Sequence, residues 1–186
     1  MDELIRRAQA QDQEAYRELF EQWYPRAWRV SRALGGDRTL AEDALQEALI
    51  RFWRAMPRVR DAARAEAYFL RIVVNETRRQ LSRRRELPTG DWDEGRGDVG
   101  RGADQSAEER ESADELQRAV RALPGKLAAV LQLHYWGGFS VAEVAALLRC
   151  NPSSVKMRLL RGRQALRVQL EREQVETEGM THEWSQ

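Results

Sequence analysis

The chain has 186 residues, 42% hydrophobic and 33% charged, with 14 aromatics. That is apolar material for one medium domain or two small ones, and it excludes wholesale disorder. No apolar run approaches the roughly 18–20 residues of a membrane span, and MDELIRRAQAQDQEAY lacks the apolar stretch of a signal peptide. A single cysteine, Cys150, excludes an internal disulfide, and with only His134 and His182 beside it an intrachain Cys/His zinc site is excluded as well. The expectation is a soluble, cytoplasmic protein with no cofactor. The net charge of +1 conceals an asymmetry: residues 1–85 carry +5, residues 86–115 carry −8 and residues 116–186 carry +4. Two basic blocks joined by an acidic strap point to a polyanion partner.

Strand signals are nearly absent, and most apolar residues recur at helical spacing. Tyr16, Leu19, Phe20, Trp23, Ala27, Val30 and Leu34 form a first stripe. Gly35-Gly36 separates it from a second, Leu45, Ala48, Leu49, Phe52 and Met56, ended by Pro57. Thr39-Leu40-Ala41-Glu42 reads as the capping box that starts the second helix. A third helix is predicted from about Ala65 to Arg84. These helices hold nine of the 14 aromatics and should share one core.

In residues 86–111, ELPTGDWDEGRGDVGRGADQSAEERE, helical periodicity gives way to Gly, Asp and Glu, the composition of a flexible, self-repelling tether. A second helical unit, residues 112–172, is predicted to begin at the capping box Ser112-Ala113-Asp114-Glu115. One helix runs to about Ala122, Pro124 breaks the chain, and another runs to about Trp136. Ser140-Val141-Ala142-Glu143 is a further capping box, opening a short helix that ends near Leu148. Asn151 can cap a last helix whose first turn holds Pro152 and which runs to about Leu170. Residues 173–186 read as a polar, frayed tail.

The sequence SVAEVAALLRCNPSSVKMRLLRGRQAL, residues 140–166, has the logic of a helix-turn-helix: a short amphipathic helix, a tight turn, then a longer basic helix. Ala145 is small where two helices cross, and Val155 packs beneath it. Val155, Leu159, Gly162, Leu166 and Leu170 mark the inner face of the last helix. Ser153 and Ser154 at its N-terminal end suit phosphate contacts, while Lys156, Met157 and Arg161 are placed to reach base edges in a major groove. In the first unit, Asp43, Gln46, Glu47 and Ile50 fall on the outward side of their helix. Asp43 and Glu47 are like charges four apart, which costs an isolated helix ~0.2–0.5 kcal/mol, so this acidic, partly apolar patch suits a basic protein partner. Phe52 is assigned to the core, and Trp53 to either core or rim. On the third helix Arg71, Asn75, Arg78, Arg79 and Ser82 share a face. Arginines hold phosphates, and Asn75 offers paired donor and acceptor groups to a base edge.

These residues resemble a known family. Ser140-x-x-Glu143-Val144-Ala145 and Ser154-Val155-Lys156-x-Arg158-Leu159-x-Arg161-x-Arg163 look like the C-terminal promoter-binding domain of the extracytoplasmic-function (ECF) sigma factors. Ala41 to Arg54, AEDALQEALIRFWR, resembles the segment that binds the RNA polymerase clamp, and Tyr68 to Asn75, YFLRIVVN, resembles the start of the promoter-reading helix. The likeness covers residues 3–85 and 112–170. It implies an all-α, two-domain protein: residues 1–85 for core binding and −10 recognition, 86–111 as linker, 112–172 for −35 recognition. It implies core RNA polymerase as a partner, through the β′ clamp helices and the β subunit, together with promoter DNA and an anti-sigma factor, and no small-molecule substrate. The polymerase-binding residues are then Asp43, Gln46, Glu47, Ile50 and Trp53. Those facing the melted −10 strand are Arg60 and Arg64, in a loop at about Arg60–Glu66 that pockets a flipped base, with Arg71, Asn75, Arg78 and Arg79. Those on the −35 duplex are Ser153, Ser154, Lys156, Met157, Arg158, Arg161 and Arg163.

Arg149 stands in the turn where the family often has Gly. A left-handed arginine would cost ~1–2 kcal/mol, so a slightly different turn is expected. Two other readings remain: a helix-turn-helix regulator that never joins polymerase, against which Asp43–Trp53 argues, and an interaction protein that titrates regulators, against which Asn75 and the basic last helix argue. No metal cluster, phosphate-cradling glycine loop or nucleophile–base pair points to an enzyme.

Overall fold

The computed structural model describes residues 1–59, 61–86 and 107–183, and among these every regular element is helical. The N-terminal unit is built from α1 (Asp2–Gln9), α2 (Gln13–Ala33), α3 (Arg38–Ala55) and α4 (Ala65–Glu86). The C-terminal unit is built from α5 (Ala107–Ala122), α6 (Gly125–Leu131), α7 (Val141–Leu148) and α8 (Pro152–Glu183).

Local chemistry sets the helix starts. Asp12 caps α2, its carboxylate accepting from the Ala15 amide at 3.0 Å. The start of α3 differs from the expected Thr39–Glu42 capping box. Asp37 is the cap, accepting from the Leu40 amide at 2.7 Å, and Thr39 already lies inside the first turn. Glu42 turns to Arg38 instead, at 3.0 Å. A carboxylate wins this position because it serves a second donor too, the Arg84 guanidinium from α4. Burial alone would raise the Asp37 pKa, but the Leu40 amide and Arg84 outweigh it and hold the group below its ordinary value.

The predicted apolar stripes form one aromatic core. Leu19, Trp23, Ala27 and Val30 of α2 are buried, as are Leu45, Ala48 and Phe52 of α3. Phe52 sits at the centre, with ring centroids 5.3 Å from Phe69, 5.8 Å from Trp23 and 6.1 Å from Tyr16. Offset and edge-on contacts of this kind add ~0.5–1.5 kcal/mol per pair beyond area burial. Two hydroxyls lie inside this apolar packing. Thr77 on α4 lies 2.9 Å from both Ser31 Oγ on α2 and its own Val73 carbonyl, and both residues are fully buried.

In the C-terminal unit α5 begins at Ala107, five residues before the expected Ser112 box, which therefore lies inside the helix. Ala-Glu-Glu-Arg-Glu are all good helix formers, and their propensity outweighs the density of charge. Pro124 caps α6, which runs into a single π turn, Gln132–Trp136. The Ser140–Glu143 capping box closes in both directions, at 3.3 Å and 2.9 Å. Asn151 caps α8, accepting from the Ser154 amide at 2.6 Å. Gly162 permits close packing of α8 on α6: a Cβ there would lie 2.9 Å from Leu131 Cδ1. The helix continues to Glu183 rather than ending near Leu170, since the Glu-Arg-Glu-Gln run after Leu170 favours helix.

The turn between α7 and α8 keeps the left-handed geometry despite its arginine: Arg149 has φ 52° and ψ 50°. The altered turn expected from the missing glycine does not occur. The backbone strain is about 1–2 kcal/mol, and glycine's greater unfolded-state freedom would return about 0.5–1 kcal/mol of any relief. Arg149→Gly should therefore raise stability by about 0.5–1 kcal/mol in urea denaturation. A loss of stability would show that the arginine side chain, not the backbone, governs this position.

The two units are packed together. Helix α7 lies against α4, the π turn lies against α2, and the buried apolar residues of both units form one continuous cluster.

Candidate nucleic-acid interface

On α3, Asp43, Gln46 and Ile50 are exposed, and Ile50 leaves 47% of its surface in water. Glu47 is more committed than its neighbours. It lies 3.7 Å from Arg51 on its own helix and 3.6 Å from Arg79 on α4. Its like charge with Asp43 thus has a partial explanation within the fold. Trp53 belongs to the rim: half-buried, it stands edge-on to Tyr16 at 4.7 Å. The Tyr16 hydroxyl donates to the Leu49 carbonyl at 2.6 Å, and burial pushes its pKa up.

On α4, Asn75 and Arg78 are exposed on the face expected of them, and Arg71 lies over the Tyr68 ring at 5.6 Å. Arg79 leaves that face. It pairs with Glu76 at 3.0 Å, a carboxylate that is 2% exposed and also holds Arg51 at 2.9 Å. Sequence reasoning missed Glu76 and Arg51. The signal was available as the one acid between the two ends of a basic helix, one residue beyond Asn75. Removing a buried carboxylate that serves two guanidiniums should cost about 1.5–3 kcal/mol, the partners' own access to water keeping it below the larger penalties of a fully buried pair. Glu76→Ala read by urea denaturation tests this, and a stability change below about 0.5 kcal/mol, typical of plain surface substitutions, would refute it. In the preceding loop Arg64 is exposed and pairs with Asp61 at 3.0 Å, while Arg60 lies outside the described residues.

The helix-turn-helix is assembled as the spacing implies, with Ala145 and Val155 buried where α7 crosses α8. Ser153, Lys156, Met157, Arg161 and Arg163 are exposed along one end of α8, and Ser154 is half-buried. Met157 leaves 49% of its surface in water, an apolar contact surface between cations. Arg158 is half-buried and donates to the sulfur of Cys150, itself half-buried, at 3.7 Å. Arg163 reaches the Tyr135 hydroxyl at 3.4 Å.

The two cationic faces lie near one another. Arg78 retains exposed surface, yet protein crowds its guanidinium; that crowding first, and the charge of Arg158 second, lower its pKa. Across the same seam Arg26 of α2 bonds Glu66 at 2.8 Å and Glu143 of α7 at 2.6 Å. The Glu143 pKa is lowered, chiefly by the Ser140 amide and hydroxyl, with Arg26 and Arg29 adding to the effect.

A helix-turn-helix unit joined to a second helical unit that carries arginines around an exposed asparagine has the make-up of a DNA-binding protein. Residues 19–86 match the family model for Sigma-70 region 2, and residues 113–166 match that for Sigma-70, region 4. The chain is 31% identical over 164 residues to the ECF RNA polymerase sigma factor SigM of Mycobacterium tuberculosis, covering 88% of this chain and 81% of that protein. It is 30% identical over 175 residues to the ECF RNA polymerase sigma-E factor of Escherichia coli, covering 88% and 90%. Among solved structures, that of CnrH in complex with the cytosolic domain of CnrY matches with a TM-score of 0.60 at 20% identity, over 90% of this chain and 95% of that one. The sigma factor RpoE of Bartonella quintana, solved with the anti-sigma factor NepR, matches with a TM-score of 0.59 at 20% identity, over 84% and 96%. The chain belongs to the ECF RNA polymerase sigma factors. It is a sigma factor, a subunit that binds core polymerase and directs it to promoters. No helix among the described residues is long and apolar enough to cross a membrane.

Proposed function

We propose that this sigma factor divides its work along the chain: residues 1–85 bind core polymerase and open the −10 element, residues 86–111 tether, and residues 112–172 read the −35 element. The observation that carries this reading is a set of three surfaces of distinct chemistry: acidic and apolar where Asp43, Gln46 and Ile50 are exposed; cationic with an amide where Asn75 and Arg78 are exposed beside half-buried Arg71; cationic with hydroxyls where Ser153, Lys156, Arg161 and Arg163 are exposed. The first suits the basic clamp of a protein partner, with Glu47 and Trp53 at its edge. The second suits a single strand held by its phosphates while one base is read. The third suits a duplex major groove. Arg79 and Arg158 enter as supporting cations, each already engaged inside the protein. The chain acts in the cytoplasm, without catalysis of its own, and under the control of an anti-sigma partner. A regulator that never joins polymerase would have no use for the Asp43–Ile50 surface.

Transcription in vitro with core polymerase on a library of promoter fragments tests the whole assignment. The full chain should select a promoter class with fixed −35 and −10 elements. Arg161→Ala should relax the −35 preference, whereas Arg167→Ala, on the exposed stem of α8, should weaken binding to every sequence alike. Equal losses on specific and random DNA for both variants would refute the division of roles.

A further inference from the structure

An apolar ridge runs along the outermost side of α8. Val155 and Leu159 are buried inside the helix-turn-helix unit, and Gly162 packs against Leu131. At 3.6 residues per turn, Ser153, Met157, Leu160 and Gln164 fall on the side turned away from them. Ser153 and Gln164 are exposed, Met157 leaves 49% of its surface in water and Leu160 43%. Leu160 follows directly on the buried Leu159 yet is turned out of the core. Cations bracket this pair. Lys156 and Arg163 lie on one flank and Arg161 on the other, and all three are exposed. The Tyr135 hydroxyl, 3.4 Å away, steadies Arg163 on its flank.

The chemistry of a major groove decides what such a ridge can meet. Cations on both flanks draw in the phosphate walls, which leaves the ridge facing the groove floor. That floor presents hydrogen-bond donors and acceptors, and its one distinctly apolar group is the C5 methyl of thymine. A leucine pressed on a carbonyl or amino edge strips water from a polar atom and offers no partner in return. Pressed on a methyl group, it removes apolar surface from water on both sides. Side chains three apart on a helix have Cβ atoms ~5–6 Å from each other, and bases rise ~3.4 Å per step. The pair therefore spans neighbouring or next-but-one base steps.

We propose that Met157 and Leu160 read thymine methyl groups, on either strand, at two closely spaced base pairs of the −35 element. The proposal rests on the assignment of α8 to that element and adds Leu160 to the residues that specify it. Lys156, Arg161 and Arg163 supply attraction and orientation, and the ridge distinguishes thymine from cytosine, which carries hydrogen at the same carbon. Methionine is unbranched and adapts its shape, whereas leucine is stiffer, so the base pair under Leu160 is the stricter of the two.

The test removes the methyl group from the DNA and the side chain from the protein. Holoenzyme is assembled from core polymerase and the full chain, and its preferred promoter is obtained by selection in vitro. Each −35 thymine is then replaced by deoxyuridine, which pairs in the same way and lacks the methyl. Wild type should lose about fourfold in promoter affinity at each of two positions, the equivalent of ~0.8 kcal/mol at 1.4 kcal/mol per factor of ten, and about fifteenfold when both are replaced. Leu160→Ala should lose at least as much on thymine DNA, then lose nothing further from deoxyuridine at one position while still responding at the other. Met157→Ala should show the converse. A wild type that selects a −35 sequence but is indifferent to deoxyuridine would overturn the methyl readout. So would variants that lose equally on both DNAs and keep the full deoxyuridine response, since the ridge would then act in folding or in docking a protein. Arg161→Ala separates this failure from that of the underlying assignment. If it and both ridge variants leave −35 preference unchanged, α8 does not read the element and the methyl readout falls with it.

Discussion

Replacing Asp43 and Ile50 together with lysine will abolish association with core polymerase while leaving the helical content unchanged. Both side chains are exposed on the outward face of α3, and among the described residues no ion pair engages Asp43. Two cations placed on a surface that meets a basic partner replace attraction by repulsion and put charge where Ile50 offers apolar area. Central interface residues of this kind are worth about 2 kcal/mol or more each, so the pair should lower affinity by more than about a hundredfold, at 1.4 kcal/mol per factor of ten. Glu47 is left out of this variant by design. Its reversal would set a lysine between Arg51 and Arg79, and a folding defect would then be mistaken for a binding defect. Quantitative pull-down or anisotropy against core polymerase makes the measurement. A folded variant with wild-type affinity would show that this surface is ordinary solvated helix.

Asn75→Ala should impair opening rather than recruitment. Asn75 follows Arg71 by four residues and precedes Arg78 by three, so the three project from one side of α4, and both Asn75 and Arg78 are exposed there. The flanking arginines can hold the backbone while the amide meets a base. Extruding a base costs a few kcal/mol, offset only by contacts made with the extruded form. Duplex DNA does not offer those contacts. Transcription from a duplex promoter should fall about ten- to a hundredfold, the equivalent of about 1.4–2.7 kcal/mol in the barrier. Much of it should return on a template pre-melted across the −10 element. Equal activity of variant and wild type on both templates would make Asn75 a plain surface residue. Equal failure on both would place its role in folding or in polymerase binding.

The elements were legible where apolar periodicity and capping chemistry agree. The stripes through Trp23 and Phe52, the break at Pro124, the Ser140–Glu143 box and the Ala145–Val155 crossing all follow from short-range rules. The misplaced starts have a common cause. Thr39–Glu42 and Ser112–Glu115 fit the capping pattern, but a better cap at Asp37 and strong helix formers at 107–111 overrode them. On α4, helical spacing puts Arg71, Asn75 and Arg78 on one side, with Asn75 and Arg78 exposed. It could not show that Arg79 and Glu47 would be drawn into one network with Arg51, because Glu76 brings them together across two helices. Nor does local sequence reveal Arg26 meeting Glu143, a contact 117 residues apart in the chain. Long-range ion pairs leave no periodic trace.

The hydroxyl pair inside the N-terminal core governs where α4 aims. Thr77 has a single proton. If it goes to the Val73 carbonyl, the bond to Ser31 must be donated by the serine, and the two side chains act as a key and its slot. Turning α4 about its own axis would break the Ser31–Thr77 bond: Thr77 keeps the Val73 carbonyl, which turns with it, but Ser31 loses its Thr77 partner inside an apolar interior. At 3.6 residues per turn, a slip of one residue would swing the bearing of every α4 side chain by about 100°. Thr77 lies two residues beyond Asn75 and so points to nearly the opposite side of the helix. A keyed hydroxyl in the dry interior thereby sets the compass heading of the amide outside, and a Thr77→Val chain should stay folded while holding Asn75 less definitely in that direction.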